Sequence, residues 1–242
     1  MQRIREDVPI ARRVPRGAKS RDLPIGPVVI SVALALGTGL AALFLLQDQI
    51  SQGFLAPSPV AGIDVKPDQF GRLLGHFPYP EATADQLIEI APGMLLQADA
   101  AAAYEQMRLA AEADGVDLRL ISAYRSMSIQ KQIFFDVKSE RNQTAEARAK
   151  VSAPPGYSEH STGYAIDIGD GSRPQSNLSV DFETTPAFYW LQNNAQRYHF
   201  QLSFPMGNRQ GVSYEPWHWR FEGSSDALKR FQPANKHEQR GV

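Results

Sequence analysis

The chain has 242 residues, 43% of them hydrophobic and 21% charged, with a formal net charge of −1 and no cysteine. That length holds one domain of ordinary size plus appendages, and the missing cysteine excludes a disulfide framework and confines any metal site to nitrogen and oxygen ligands. The near-neutral charge hides an asymmetry: residues 1–46 carry seven Lys/Arg against three acids, which leaves residues 47–242 at −5. With no basic run, that larger part excludes nucleic acid as a partner, since phosphate contacts need clustered Lys/Arg.

Residues 1–23 form a basic segment, and 24–46, PIGPVVISVALALGTGLAALFLL, hold no charged residue. A helix of that length spans a hydrocarbon core of roughly 30 Å. The run is longer than the apolar part of a cleaved secretory signal, and the QDQISQGF that follows has no small-residue cleavage pattern. The expectation is one uncleaved transmembrane helix. Its positive flank comes first, so the N-terminus stays in the cytoplasm and residues 47–242 face the periplasmic or extracellular side of the cell membrane.

Residues 47–85 read as a linker or partly docked strap, rich in Pro and Gly at first, with Thr83 or Asp85 able to cap a short helix around 84–90. QADAAAAYEQMRLAAEAD, 97–114, predicts a helix stopped by Gly115. VDLRLISAYRS alternates and predicts a strand with Val116, Leu118 and Leu120 on one face. One or two helices follow, broken near Asn142. YAIDIG predicts a short strand, Pro186 opens a helix, and FQLSF and WHWRF predict two further strands. The tail, 223–242, is polar and reads as frayed or loosely packed. This order argues an α+β fold for residues 86–222, a small antiparallel sheet flanked by helices.

Two stretches carry chemistry. In YAIDIG the side chains alternate, so Ile166 and Ile168 go to the core while Ala165 and Asp167 share the opposite face. Gly163 permits a bend that brings His160 back over Asp167. In WHWRF, Trp217, Trp219 and Phe221 form the apolar face, and His218 and Arg220 the other. Pro216 interrupts the ladder, which frees Glu215 to lean towards His218. Two histidines and one carboxylate suit a three-ligand zinc site with an open fourth position, and a second carboxylate beside it suits a general base. Taken singly, each residue has a plainer role. His160 could be a surface group, His218 a core histidine, Asp167 a turn cap and Glu215 a partner of Arg220. Four polar groups at the ends of short apolar strands are harder to explain that way. His76, His199 and His237 lack this context and read as structural or surface residues. Arg125, in SAYRS, ends a strand just before a helix and is either a surface ion-pair partner or a guanidinium aimed at a carboxylate or an oxyanion.

The ordered motifs SAYRS…Q, PGYSEHSTGYAIDI and YEPWHWRF resemble the zinc D-alanyl-D-alanine carboxypeptidases of the VanY type, over about residues 86–222. The resemblance implies a small zinc metallopeptidase that trims peptidoglycan stem peptides. It implies His160, Asp167 and His218 as Zn²⁺ ligands, Glu215 as catalytic base and Arg125 as stabiliser of developing negative charge. Ser158 and Gln132 fall where that family lines its substrate pocket. His199 stands where a smaller residue, often glycine, is expected. The alternatives are an L,D-carboxypeptidase, a murein endopeptidase, or a non-catalytic wall-binding module with a structural metal.

Overall fold

The computed structural model describes residues 60–239. The anchor expected at 24–46 lies outside the described residues, and among those described no helix is long and apolar enough to cross a membrane. The fold is α+β and both of its sheets are antiparallel. A hairpin pairs β1 (Leu87–Ala91) with β2 (Met94–Gln97). A four-stranded sheet runs β3-β4-β6-β5, from β3 (Leu118–Ser122), β4 (Ala165–Asp170), β5 (Phe200–Leu202) and β6 (His218–Phe221).

Around the sheet lie α1 (Ala98–Ala113), α2 (Met127–Glu140), α3 (Ala145–Ala149), α4 (Pro186–Asn194) and α5 (Ser225–Gln239). The Ala-rich α1 buries Ala100, Tyr104, Met107 and Ala111, a stripe at alternating steps of four and three. The expected break after α2 occurs at Asn142, whose φ is +47°. In α4, Pro186 takes the first turn, where its missing N–H costs nothing, and the Thr185 hydroxyl caps the Phe188 N–H. Ile166 and Ile168 of β4 join Trp219 and Phe221 of β6 in one core with Met107, Leu191 and Phe231. The alternation read from both strands therefore holds, and it turns Asp167 and His218 to the other face.

Two expectations are corrected, the helix around 84–90 and the frayed tail, and of the two readings of residues 47–85 the docked strap fits the described part. The helix around 84–90 is a single 3-10 turn, Ala84–Gln86, with Thr83 at its N-cap; β1 follows at once. The strap is packed over its described part. Ile63 and Leu73 join Phe134, Ala149 and Tyr157 in a second core, and Phe77 and Tyr79 enter the main one. The tail is not frayed over Ser225–Gln239, because α5 buries Ala227, Phe231 and Ala234, spaced four and three apart. His199, the expected glycine position, adopts φ +62°, a left-handed conformation that explains the expectation.

Candidate metal centre and active site

The register of the sheet builds the site. Asp167 is the cross-strand partner of Ser122 on β3 and of His218 on β6, so the Asp167 and His218 side chains rise from one face, directly opposite. His160 arrives from a 3-10 turn, Glu159–Thr162, closed by Gly163 at φ +72°. A Cβ at residue 163 would stand 2.6 Å from Leu87 Cδ2, a side-chain end that can move aside, so it is the left-handed bend that calls for glycine.

His160 Nδ1 donates to the Ala123 carbonyl at 2.8 Å, which leaves Nε2 to face Asp167 Oδ2 at 3.2 Å. His218 Nδ1 lies 3.0 Å from Asp167 Oδ1, and its Nε2 lies 2.9 Å from Glu159 Oε2. One ligand atom from each of His160, Asp167 and His218 lies within 4.8 Å of the other two, and all three residues are buried. Each histidine thus has one nitrogen tethered outwards and one turned inwards, the arrangement that holds a metal-ligating imidazole in orientation. The donor set, two nitrogens and a carboxylate, fits zinc with an open position.

The charges of the site are tightly coupled. Burial alone would raise the Asp167 carboxyl, yet His160 and His218 hold it far below the carboxylate range. Burial would lower His218, but hydrogen bonds to Asp167 and Glu159 carry it up to about 10. Both shifts have one cause, the close pairing of the histidines with carboxylates. Arg220 gives its guanidinium to Glu159 at 3.0 Å and Glu222 at 2.6 Å, and the guanidinium beside Asp167 is that of Arg125.

Glu215 stands just before β6 in a turn in which its carbonyl accepts the His218 N–H at 3.1 Å, with Pro216 at the second position. Its own N–H is tied to the Phe204 carbonyl at 3.1 Å. Burial pushes its carboxyl up to about 8, with His218 pulling down and Asp167 pushing up. It does not pair with Arg220, whose carboxylate partners are Glu159 and Glu222. Arg125 is no surface ion-pair partner either. Its Nη1 donates to Gln130 Oε1 at 3.0 Å and its Nη2 to Ser122 Oγ at 2.9 Å, 3.7 Å from Asp167 Oδ2.

Ser158, the residue that opens the Glu159–Thr162 turn, is buried, 3% exposed. Gln132 lies on α2. It is exposed, whereas Gln130, two residues earlier and about 200° round the helix, is buried and holds Arg125. Glu159 was missed altogether. The available signal was Arg220, which shares the polar face of β6 with His218 and needed a counter-charge. His76 is buried and donates Nε2–H to the Ala149 carbonyl at 2.7 Å, a structural role as expected.

The chain is similar to several known proteins. A D-alanyl-D-alanine carboxypeptidase of Enterococcus faecalis (strain ATCC 700802 / V583) is 35% identical over 130 residues, 50% of this chain and 46% of that protein. The chain spans about half the length of the curated relatives it matches. The structure of the LdcB LD-carboxypeptidase superposes with a TM-score of 0.55 at 30% identity, covering 67% of this chain and 80% of the other. A vancomycin-resistance D,D-pentapeptidase, VanY, in complex with Zn(II), gives 0.52 at 26% identity over 66% of this chain and 93% of the other. The family model for D-alanyl-D-alanine carboxypeptidase, VanY, matches residues 93–224, more than half of the chain and all of the site described above, and the protein belongs to that family.

Proposed function

We propose that the protein is a zinc-dependent carboxypeptidase that removes the terminal D-alanine from peptidoglycan stem peptides. The observation that carries this reading is the convergence of His160 Nε2, Asp167 and His218 Nδ1 beside a raised Glu215 carboxyl and a tethered Arg125. A zinc ion held by His160, Asp167 and His218 supplies Lewis acidity towards a carbonyl and towards water. Glu215 would take a proton from the attacking water as a carboxylate, the form that a zinc ion beside it favours against burial, and pass it to the leaving amine. Arg125 keeps its planar fork in place through Gln130 and Ser122 and turns it to the oxyanion or to the substrate's terminal carboxylate. The presence of Glu215 argues against a non-catalytic wall-binding module, since a structural site has no use for such a carboxylate.

A second reading, an L,D-carboxypeptidase acting on tetrapeptides, draws support from the likeness to LdcB at 30% identity. The test is incubation of the protein with defined tri-, tetra- and pentapeptide murein fragments, with and without chelator. Release of D-alanine from pentapeptide, abolished by chelator, supports the D,D reading. Release from tetrapeptide alone replaces it by the L,D reading, and cleavage elsewhere in the stem makes the protein an endopeptidase.

The proposed setting is the outer side of the cell membrane, with residues 24–46 as anchor. The support is the uncharged run and the basic flank before it. A reporter that matures only in the cytoplasm, fused after residue 60, should stay dark; fluorescence would reverse the orientation.

A further inference from the structure

Glu159 is 3% exposed and faces away from the three inward-turned ligand atoms. Each of its oxygens has two partners. Oε2 accepts from Ser203 Oγ at 2.5 Å and from His218 Nε2 at 2.9 Å. Oε1 accepts from Arg220 Nη1 at 3.0 Å and from Tyr79 Oη at 3.3 Å. All four partners can act as donors, and a carboxylate is the one side chain of this size that only accepts. A glutamine would turn an N–H group towards two of these donors. Because Glu159 only accepts, it keeps a proton on His218 Nε2, so Nδ1, which faces Asp167 Oδ1 at 3.0 Å, is the nitrogen left to give up its proton and take a metal. The other histidine has no such backing, since His160 Nδ1 donates to the neutral Ala123 carbonyl.

Resting on the metal-centre reading above, we propose that Glu159 is a positioning residue that fixes His218 as an Nδ1 metal ligand, and that its negative charge, not its shape alone, sets the affinity of the site. The plainer role is neutralising buried Arg220, which Glu222 already shares through a 2.6 Å contact with Nε. The two roles separate experimentally.

The test uses the full chain, zinc, and competition with a chelating dye. Glu159→Gln should weaken zinc binding by about 10–100-fold, the range typical of outer-sphere partners of metal-ligating histidines. The double variant Glu159→Gln/Arg220→Gln removes both charges. If Glu159 acts on His218, the double variant stays as weak as the single one; recovery of wild-type affinity would overturn the proposal and leave Glu159 as the neutraliser of Arg220. A wild-type measurement covers the case in which the variants do not fold. With zinc bound and histidines labelled with ¹⁵N, His218 should be metallated at Nδ1 with an exchange-protected Nε2–H, and His160 at Nε2. Metallation of His218 at Nε2, or unchanged affinity in Glu159→Gln, contradicts the proposal while leaving the centre intact. A wild-type chain that binds no zinc defeats the metal centre itself.

Discussion

Asp167, in the middle of β4, stands directly across the sheet from His218 on β6, with Oδ1 3.0 Å from Nδ1. Neither strand has room for both a core and a site on one face, so alternation divides them. The same strands that bury Ile166 and Trp219 present Asp167 and His218 as a preformed pair. A site carried on paired strands is held more firmly than one on loops.

His160 completes the set from a turn, so it tests the set most cleanly. His160→Ala should lower zinc content and remove metal-dependent stability together, because binding free energy is also folding free energy. Excess zinc should raise the wild-type melting temperature by several degrees and leave the variant nearly unmoved. Full zinc occupancy in the variant would remove His160 from the site.

Arg125→Lys keeps the charge but loses the planar fork that Gln130 and Ser122 hold. Its kcat/KM should fall by about 10²–10³-fold, the cost of losing an oxyanion donor, with zinc content unchanged. An unchanged kcat/KM would make Arg125 a structural brace.

Phe231 tests the docking of α5. It is fully buried, stacked edge-on to Tyr79 and under the Arg220 guanidinium. Phe231→Ala should cost about 3–5 kcal/mol in denaturant unfolding, typical of emptying a buried aromatic site. A loss below 1 kcal/mol would return residues 225–239 to a loosely attached tail.

His76 should govern acid stability. Burial pushes it down to about 4, so the native state keeps it neutral while the unfolded chain protonates it near 6.5. Between these values the unfolded state binds more protons, and stability falls as pH falls from about 6.5 towards 4. His76→Gln keeps a donor for the Ala149 carbonyl but does not titrate. From pH 7 to pH 5 the wild type should lose about 2 kcal/mol more than the variant. Parallel stability profiles for the two proteins would show that His76 is not the acid-sensitive group.

Much of this was legible because local rules and the tertiary fold agreed. Ile166 and Ile168 against Asp167 and the break at Asn142 follow from backbone geometry, whereas the glycine-like place of His199 came from the family resemblance alone. The β1–β2 hairpin was not read, although Pro92 and Gly93 mark its turn and Gly93 has φ +73°. Polar residues and Pro233 masked the short apolar stripe of α5. Gln130 and Gln132 differ only by helix phase, which needs the start of α2 to be known. Glu159 depends on residues 44 to 80 positions away, Tyr79, Ser203, His218 and Arg220, and no local pattern announces such a meeting.

The central claim is that Glu215 moves the proton and is not a ligand. It sits three residues before His218, in the turn made by Pro216, with its carboxyl pushed up to about 8 by burial. The most direct measurement is kcat on pentapeptide fragments, together with zinc content and melting temperature, for Glu215→Gln. The amide keeps size and polarity but cannot accept the proton. General-base catalysis is worth roughly 10²–10⁴-fold, so kcat should fall by about that factor while zinc content and melting temperature stay at wild-type values. Loss of zinc would make Glu215 a ligand, and retention of both zinc and kcat would place the base elsewhere; either result contradicts the account.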